Sequence, residues 1–136
     1  MLILAYGLEH NFGWATATLA HSLPLAIAIG ALGSCSAAWA VLSFLSVGTE
    51  IEPASKANKN LVTRGPFGVT RNPMYLGLIL MTLGIAFYRG TASFFLVPVS
   101  VALVCNFIFI PFEEAKMQSQ YGDLFTEYRA KVRRWI

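Results

Sequence analysis

Residues 71–77 read RNPMYLG and set a guanidinium, a carboxamide, a proline and a phenol at the mouth of an apolar run, LGLILMTLGIAF. Glu113 and Glu114 follow Pro111 at the end of a second apolar run. Carboxylates at such an edge pair with a cation or bind one. Together with Lys59, Arg64, Arg71, Asn72 and Tyr75 they offer both charge signs at one surface, which suits a zwitterionic ligand. The plainer reading of the same residues is an ion pair between Arg71 and a glutamate that staples a helix hairpin.

Other chemistries lack their residues. His10 and His21 are far from each other and from the acidic pair, so no metal-ligand spacing exists and no metal is expected. No Ser-His-acid set can be assembled near Glu113. GPFG at 65–68 lacks the preceding strand and the spacing of a phosphate-cradling loop. Cys35 and Cys105 both lie in apolar runs and read as small buried hydrophobes. A cleaved signal peptide is not expected, because no basic region precedes the first apolar residues. Nothing points to nucleic acid.

The elements that must position this set are apolar. Of 136 residues 56% are hydrophobic and 12% charged, against ~25% charged in soluble domains. No Asp, Glu, Lys or Arg lies between Glu9 and Glu50, and only Arg89 lies between Asn72 and Phe112. A spanning helix takes about 20 such residues, so the chain reads as a single membrane domain over 1–136. The expected fold is an all-α, polytopic membrane helix bundle of three to four transmembrane helices with a cytoplasmic C-terminal amphipathic helix.

Residues 1–21 are interrupted by Glu9-His10-Asn11, costly at mid-bilayer. They read as a short span, an interfacial helix or the remnant of a longer region. Residues 22–47 form a span, with Ala26 and Gly30, then Gly33 and Ala37, spaced for close helix approach. Residues 48–71 are a polar loop. Asn72 reads as a helix N-cap and Pro73 as the first helical residue of a span over 72–88. Arg89-Gly90 turns the chain into a span over 91–112, where Pro98 predicts a kink. In the tail, 113–136, Met117, Tyr121, Leu124, Tyr128 and Val132 recur on one helical stripe, which Gly122 would interrupt. Arg129, Lys131, Arg133 and Arg134 suit anionic headgroups.

Nine of the ten Lys and Arg residues fall in the loop and the tail. The positive-inside rule therefore predicts that both face the cytoplasm, in an inner or cytoplasmic membrane. RNPMYLG and the acidic pair meet at that face.

LVTRGPFGVTRNPMYLG, followed after one hairpin by EEAKMQSQYGDLFTEYRAKVRRWI, resembles the isoprenylcysteine carboxyl methyltransferase and phospholipid methyltransferase superfamily of small membrane enzymes. The resemblance covers residues 48–136. It implies S-adenosylmethionine as methyl donor, held by Lys59, Asn60, Leu61, Val62, Phe67, Asn72, Pro73, Met74, Tyr75 and Glu113. Arg71, Gly77 and Glu114 would support the site. Glu113 would accept from the donor's ammonium, the amides of Met74 and Tyr75 would face its carboxylate, and Phe67 and Tyr75 would stack on adenine or face the sulfonium. The methyl acceptor would be lipophilic or small, reached from the bilayer, and a homo-oligomer is compatible with the sequence.

Two positions depart from the eukaryotic pattern: Asn72 stands for histidine, and Phe109 stands for a substrate arginine, which argues against a prenylated-protein carboxylate. Two other classes compete. A non-catalytic transporter or assembly protein would carry an ionisable residue deep in a span, and 22–47 and 91–112 have none. A nicotinamide-dependent, steroid-reductase-like enzyme would carry a glutamate after Gly77, where this chain has Leu78.

Overall fold

The computed structural model describes residues 1–12, 16–46 and 61–136. Among them the regular elements are helical: α1 (Leu2–Asn11), α2 (Leu23–Ser46), α3 (Pro73–Arg89), α4 (Ala92–Val104), α5 (Ile110–Tyr121) and α6 (Asp123–Lys131). A 3₁₀ turn, Gly65–Gly68, precedes α3, and a π-helical turn, Cys105–Phe109, joins α4 to α5 without a break.

Two helices are long and apolar enough to cross a membrane, Leu23–Ser46 and the continuous Ala92–Tyr121; Pro73–Arg89 is apolar but shorter. Much of their apolar surface faces outward, with Ile27, Leu32, Leu42, Phe107 and Ile108 all exposed. That large, continuous apolar exterior is what lipid covers and water does not.

Small residues bring α2 and α3 together. A methyl group placed on Gly33 would sit 2.7 Å from the Gly77 carbonyl, and one on Gly84 would sit 2.9 Å from the Ala26 carbonyl and the Gly30 amide. The two pairs read from the sequence, Ala26/Gly30 and Gly33/Ala37, are thus the surface on which α3 rides. Gly77 belongs to this seam, packed against Gly33 and Ala37.

At the hairpin end, Gly90 (φ 76°) closes α3 in the left-handed conformation open to glycine. Its carbonyl accepts the Leu19 amide at 2.8 Å, and the Ala92 amide donates to Ala17 at 3.0 Å, so the approach to α2 is laced to the α3–α4 turn. α1 has ten residues, roughly 15 Å of rise, half of a ~30 Å hydrocarbon core. It packs Ala5 against Ala86, Phe94 and Val97. Glu9 escapes the mid-bilayer cost expected of it: Arg89 pairs with its carboxylate at 2.5 Å, Thr91 donates to it, and Ser93 donates at 3.2 Å.

Three expectations change. The last long helix does not stop at 112; it continues to Tyr121, so Glu113 and Glu114 project from this continuous rod just past its apolar part. A π turn interrupts the α-helical pattern of this rod, and Pro98 lies buried inside α4. Cys105 is buried as expected, but Cys35 is exposed on the outer face of α2. The tail stripe also shifts register: Phe125 is 3% exposed and Leu124 65%. Gly122, at φ 53° and ψ −121°, resets the helical phase between α5 and α6.

Candidate functional site

The site begins with the turn before α3. Gly65 has φ +64°, and a side chain there would press on Ser43 and Trp39 of α2; only glycine meets both demands. The turn buries Pro66 and Phe67. Phe67 meets Phe44 edge-on at 4.8 Å, and its carbonyl accepts the Tyr128 hydroxyl of α6 at 2.7 Å. Burial pushes the Tyr128 phenol up to about 12, so it remains a donor at any physiological pH.

The two glutamates have different partners. Glu113 accepts from the Tyr75 hydroxyl at 2.7 Å, and the Tyr75 ring lies nearly parallel to Phe109 at 6.3 Å. Glu114 accepts from Arg71 Nη2 at 2.7 Å and from Arg134 Nη2 at 2.6 Å. Burial acts to raise both carboxyls. For Glu114 the hydrogen bonds and charges of Arg134 and Arg71 prevail and hold it below the usual range. Glu113 has no guanidinium; Tyr75 and Lys116 only partly offset burial, and its pKa is raised. The two adjacent carboxyls thus sit in different environments. Glu114 is a neutralised strut, whereas Glu113 has no guanidinium partner among the described residues.

Arg71 does more than staple two helices. Its Nη1 donates to the carbonyls of Val132 (2.6 Å) and Arg129 (3.1 Å), tying the chain end to the doorstep. Its Nε is the buried side-chain polar atom left without a partner among the described residues. Asn72 stands at the N-cap position of α3, but its side chain does not cap the helix; it donates to the Arg134 carbonyl at 2.9 Å. The amides of Met74 and Tyr75 consequently have no partner among the described residues, as the first turn of an uncapped helix leaves them.

Between the turn, the doorstep and the tail lies a hollow enclosing about 60 Å³. Leu61, Val62, Phe67, Asn72 and Glu113, all read from the sequence, line it with Arg71 and Glu114. Tyr75 reaches it through Glu113. Met74 packs beneath, against Ala40, Val62 and Phe67. Pro73 is fully buried, and its carbonyl accepts from Ser36 at 3.1 Å. Lys59 and Asn60 lie outside the described residues.

The sequence reading missed Phe44 and Phe125, and it gave Met117, Tyr121 and Tyr128 no role in the site; all five line the hollow. Met117, Tyr121, Phe125 and Tyr128 recur at spacings of four, four and three, and that aromatic spacing was the available signal. Arg129, Lys131, Arg133 and Arg134 all suit headgroups by sequence, yet Arg134 turns inward to Glu114.

A helical chain with exposed apolar helices and, at one end of them, a hollow that sets Arg71, Asn72 and two glutamates among aromatic side chains is the framework of a membrane-embedded enzyme or binding protein. A sequence model of the phospholipid methyltransferase family matches residues 22–124, and the chain belongs to that family. Among its relatives, an uncharacterized protein of Haemophilus influenzae is 36% identical over 63 residues, covering 46% of this chain and 100% of that protein. The protein-S-isoprenylcysteine O-methyltransferase of Schizosaccharomyces pombe is 37% identical over 84 residues, covering 58% of this chain and 34% of that protein's length. No solved structure matches the chain significantly.

Proposed function

We propose that the protein is an integral membrane methyltransferase that takes its methyl group from S-adenosylmethionine and passes it to a lipophilic or small acceptor. Family membership supports the transferase chemistry and the membrane setting. The observation that carries the donor assignment is the contrast between the acidic neighbours: Glu114 is doubly paired, and Glu113 is partly buried beside Tyr75 with no guanidinium.

The residues fit the donor's chemistry. Glu113 is placed to accept from an ammonium. The amides of Met74 and Tyr75, unpartnered among the described residues and at the positive end of α3, suit a carboxylate. Phe44, Phe67, Phe125 and Tyr121 offer aromatic faces to a purine. The hollow's 60 Å³ is well below the roughly 300–1,000 Å³ of small-molecule sites. Admitting the whole molecule therefore requires α6 to part from the turn at 65–68.

When bound, S-adenosylmethionine supplies an electrophilic methyl on a sulfonium. The protein's part is alignment and exclusion of water. Tyr75, fixed by Glu113 and stacked on Phe109, forms one wall. A lipophilic acceptor has an apolar approach: a groove of about 760 Å³ lined by Leu76, Ile79, Leu103, Phe107 and Trp135, open along α3 and α4. No cation stands at Phe109, so an acceptor carboxylate would find no arginine there. In the membrane, α2, α3 and the α4–α5 rod make three passes, α1 rests at the Arg89 end, and the basic end with the hollow faces the cytoplasm.

Calorimetric titration of the detergent-purified protein with S-adenosylmethionine tests this reading. Saturable one-site binding, with transfer of labelled methyl to extracted membrane lipid, is expected. Absence of binding would leave the transporter or assembly role as the better account.

A further inference from the structure

Residues 133–135 are tied to the start of α3 and to the rod by backbone and side-chain hydrogen bonds. The backbone of residues 133–134 lies along the doorstep: the Arg71 amide donates to Arg133 at 3.0 Å, while Thr70 Oγ1 (3.0 Å) and Asn72 Nδ2 (2.9 Å) both donate to the Arg134 carbonyl. The Arg134 guanidinium grips Glu114 through two nitrogens, Nη2 at 2.6 Å and Nε at 3.3 Å. It also reaches Asn106 Oδ1 of the π turn at 3.5 Å, and Trp135 Nε1 donates to the same oxygen at 3.1 Å. Arg133, its neighbour, keeps an exposed side chain.

These contacts place Arg134 at the junction of the two spaces. Glu114 lines the hollow, whereas Asn106 and Trp135 line the open groove along α3 and α4. A forked guanidinium bonded to both glutamate oxygens has fixed direction, which a point charge lacks. Its carbonyl, once fixed, holds Asn72 turned away from capping α3, and so leaves the Met74 and Tyr75 amides without a partner among the described residues.

We propose that Arg134 is a positioning residue for the donor site, acting through Asn72 and Glu114, and that the segment 132–136 is the partition between hollow and groove. The inference rests on the S-adenosylmethionine reading given above. Arg134 touches no reacting atom. Its effect is to keep Glu114 out of the hollow's chemistry, to hold Arg71 and Asn72 in register, and to leave the start of α3 uncapped.

The test is S-adenosylmethionine affinity by calorimetry, at a temperature where every variant is folded by its melting curve. Arg134→Ala is expected to weaken binding about tenfold or more, the range for losing a hydrogen-bonded charge. Arg133→Ala removes the same charge from the same strap and is expected to stay within about twofold. In the Glu114→Gln and Asn72→Ala backgrounds the further loss from Arg134→Ala should shrink, because the route of action is already cut. A general loosening of the fold would persist unchanged in those backgrounds. If Arg134→Ala does not fold, Asn106→Leu removes the second anchor and should weaken binding in the same direction. Equal affinities for the Arg133 and Arg134 variants, or full additivity with Glu114→Gln, would overturn the proposal. Absence of binding by the unsubstituted protein would instead overturn the donor assignment beneath it.

Discussion

Glu113 and Glu114 are sequence neighbours with one chemistry, and the structure assigns them separable consequences. In Glu113→Gln the amide oxygen still accepts from Tyr75, now 2.7 Å from the carboxylate, so the hydrogen bond survives and only the charge is lost. Folding stability should change by no more than about 0.5 kcal/mol. Donor affinity should fall by about 1.5–3 kcal/mol, the worth of a hydrogen bond to a charged group, or roughly 10–150-fold.

Glu114→Gln does the reverse first. It leaves Arg71 and Arg134, 2.7 and 2.6 Å from the present carboxylate, without their counter-charge. Breaking a fully buried pair costs ~3–5 kcal/mol. The Arg134 side chain is 34% exposed and the Glu114 side chain 14%, so screening reduces the expected loss to about 1–3 kcal/mol. The assay is a melting curve and a calorimetric titration on each variant in one detergent. Weakened binding at an unchanged melting temperature is expected for Glu113→Gln, and a melting temperature lowered by several degrees, with weaker binding following from it, for Glu114→Gln. Unchanged donor affinity in Glu113→Gln would refute the assignment of that carboxyl to the cofactor's cation. Equal melting temperatures for the two variants would refute the division of roles.

Three further outcomes follow from the same geometry. Because Glu113 must be ionised to hold a cation and burial raises its pKa above the ordinary 4.5, donor affinity should begin to fall at a higher pH than an ordinary carboxylate would allow. Titrations across the acid range would show this, with the dependence absent in Glu113→Gln. Gly77→Ala should destabilise the bundle by about 1–3 kcal/mol, since its methyl would lie 2.7 Å from the Gly33 carbonyl. Gly30→Ala, with nothing within 4 Å of the new methyl, should be neutral or slightly stabilising; detergent-unfolding curves compare them. Tyr128→Phe should cost about 1–2 kcal/mol by stranding the Phe67 carbonyl, and proteolysis of α6 should accelerate.

Much of this protein is written in local pattern. The charge-free stretches gave the apolar helices, since a bilayer imposes length and hydropathy whatever the neighbours are. The Gly and Ala pairs of α2 gave the face that α3 approaches, because backbone contact needs absent side chains. Gly90 and Gly122 gave the breaks. Arg71 paired with a glutamate, as opposite charges at one apolar boundary must, and Leu61, Val62, Phe67, Asn72 and Glu113 gathered at one hollow.

What the sequence alone left undecided depended on phase and on distant partners. Helical spacing made Leu124 as good a stripe residue as Phe125 until Gly122 shifted the phase and buried Phe125. Nothing in a run of four basic residues marks Arg134 as the one that turns inward, because Glu114 and Asn106 lie far off in the chain and meet it only when the rod and the strap are in place. Glu9 looked like a liability for the same reason: Arg89 and Thr91, some eighty residues on, are what make it affordable. Hydropathy is a sum over neighbours in sequence and is legible there; the pairing of a charge is a matter of position in space, and only the packed helices decide it.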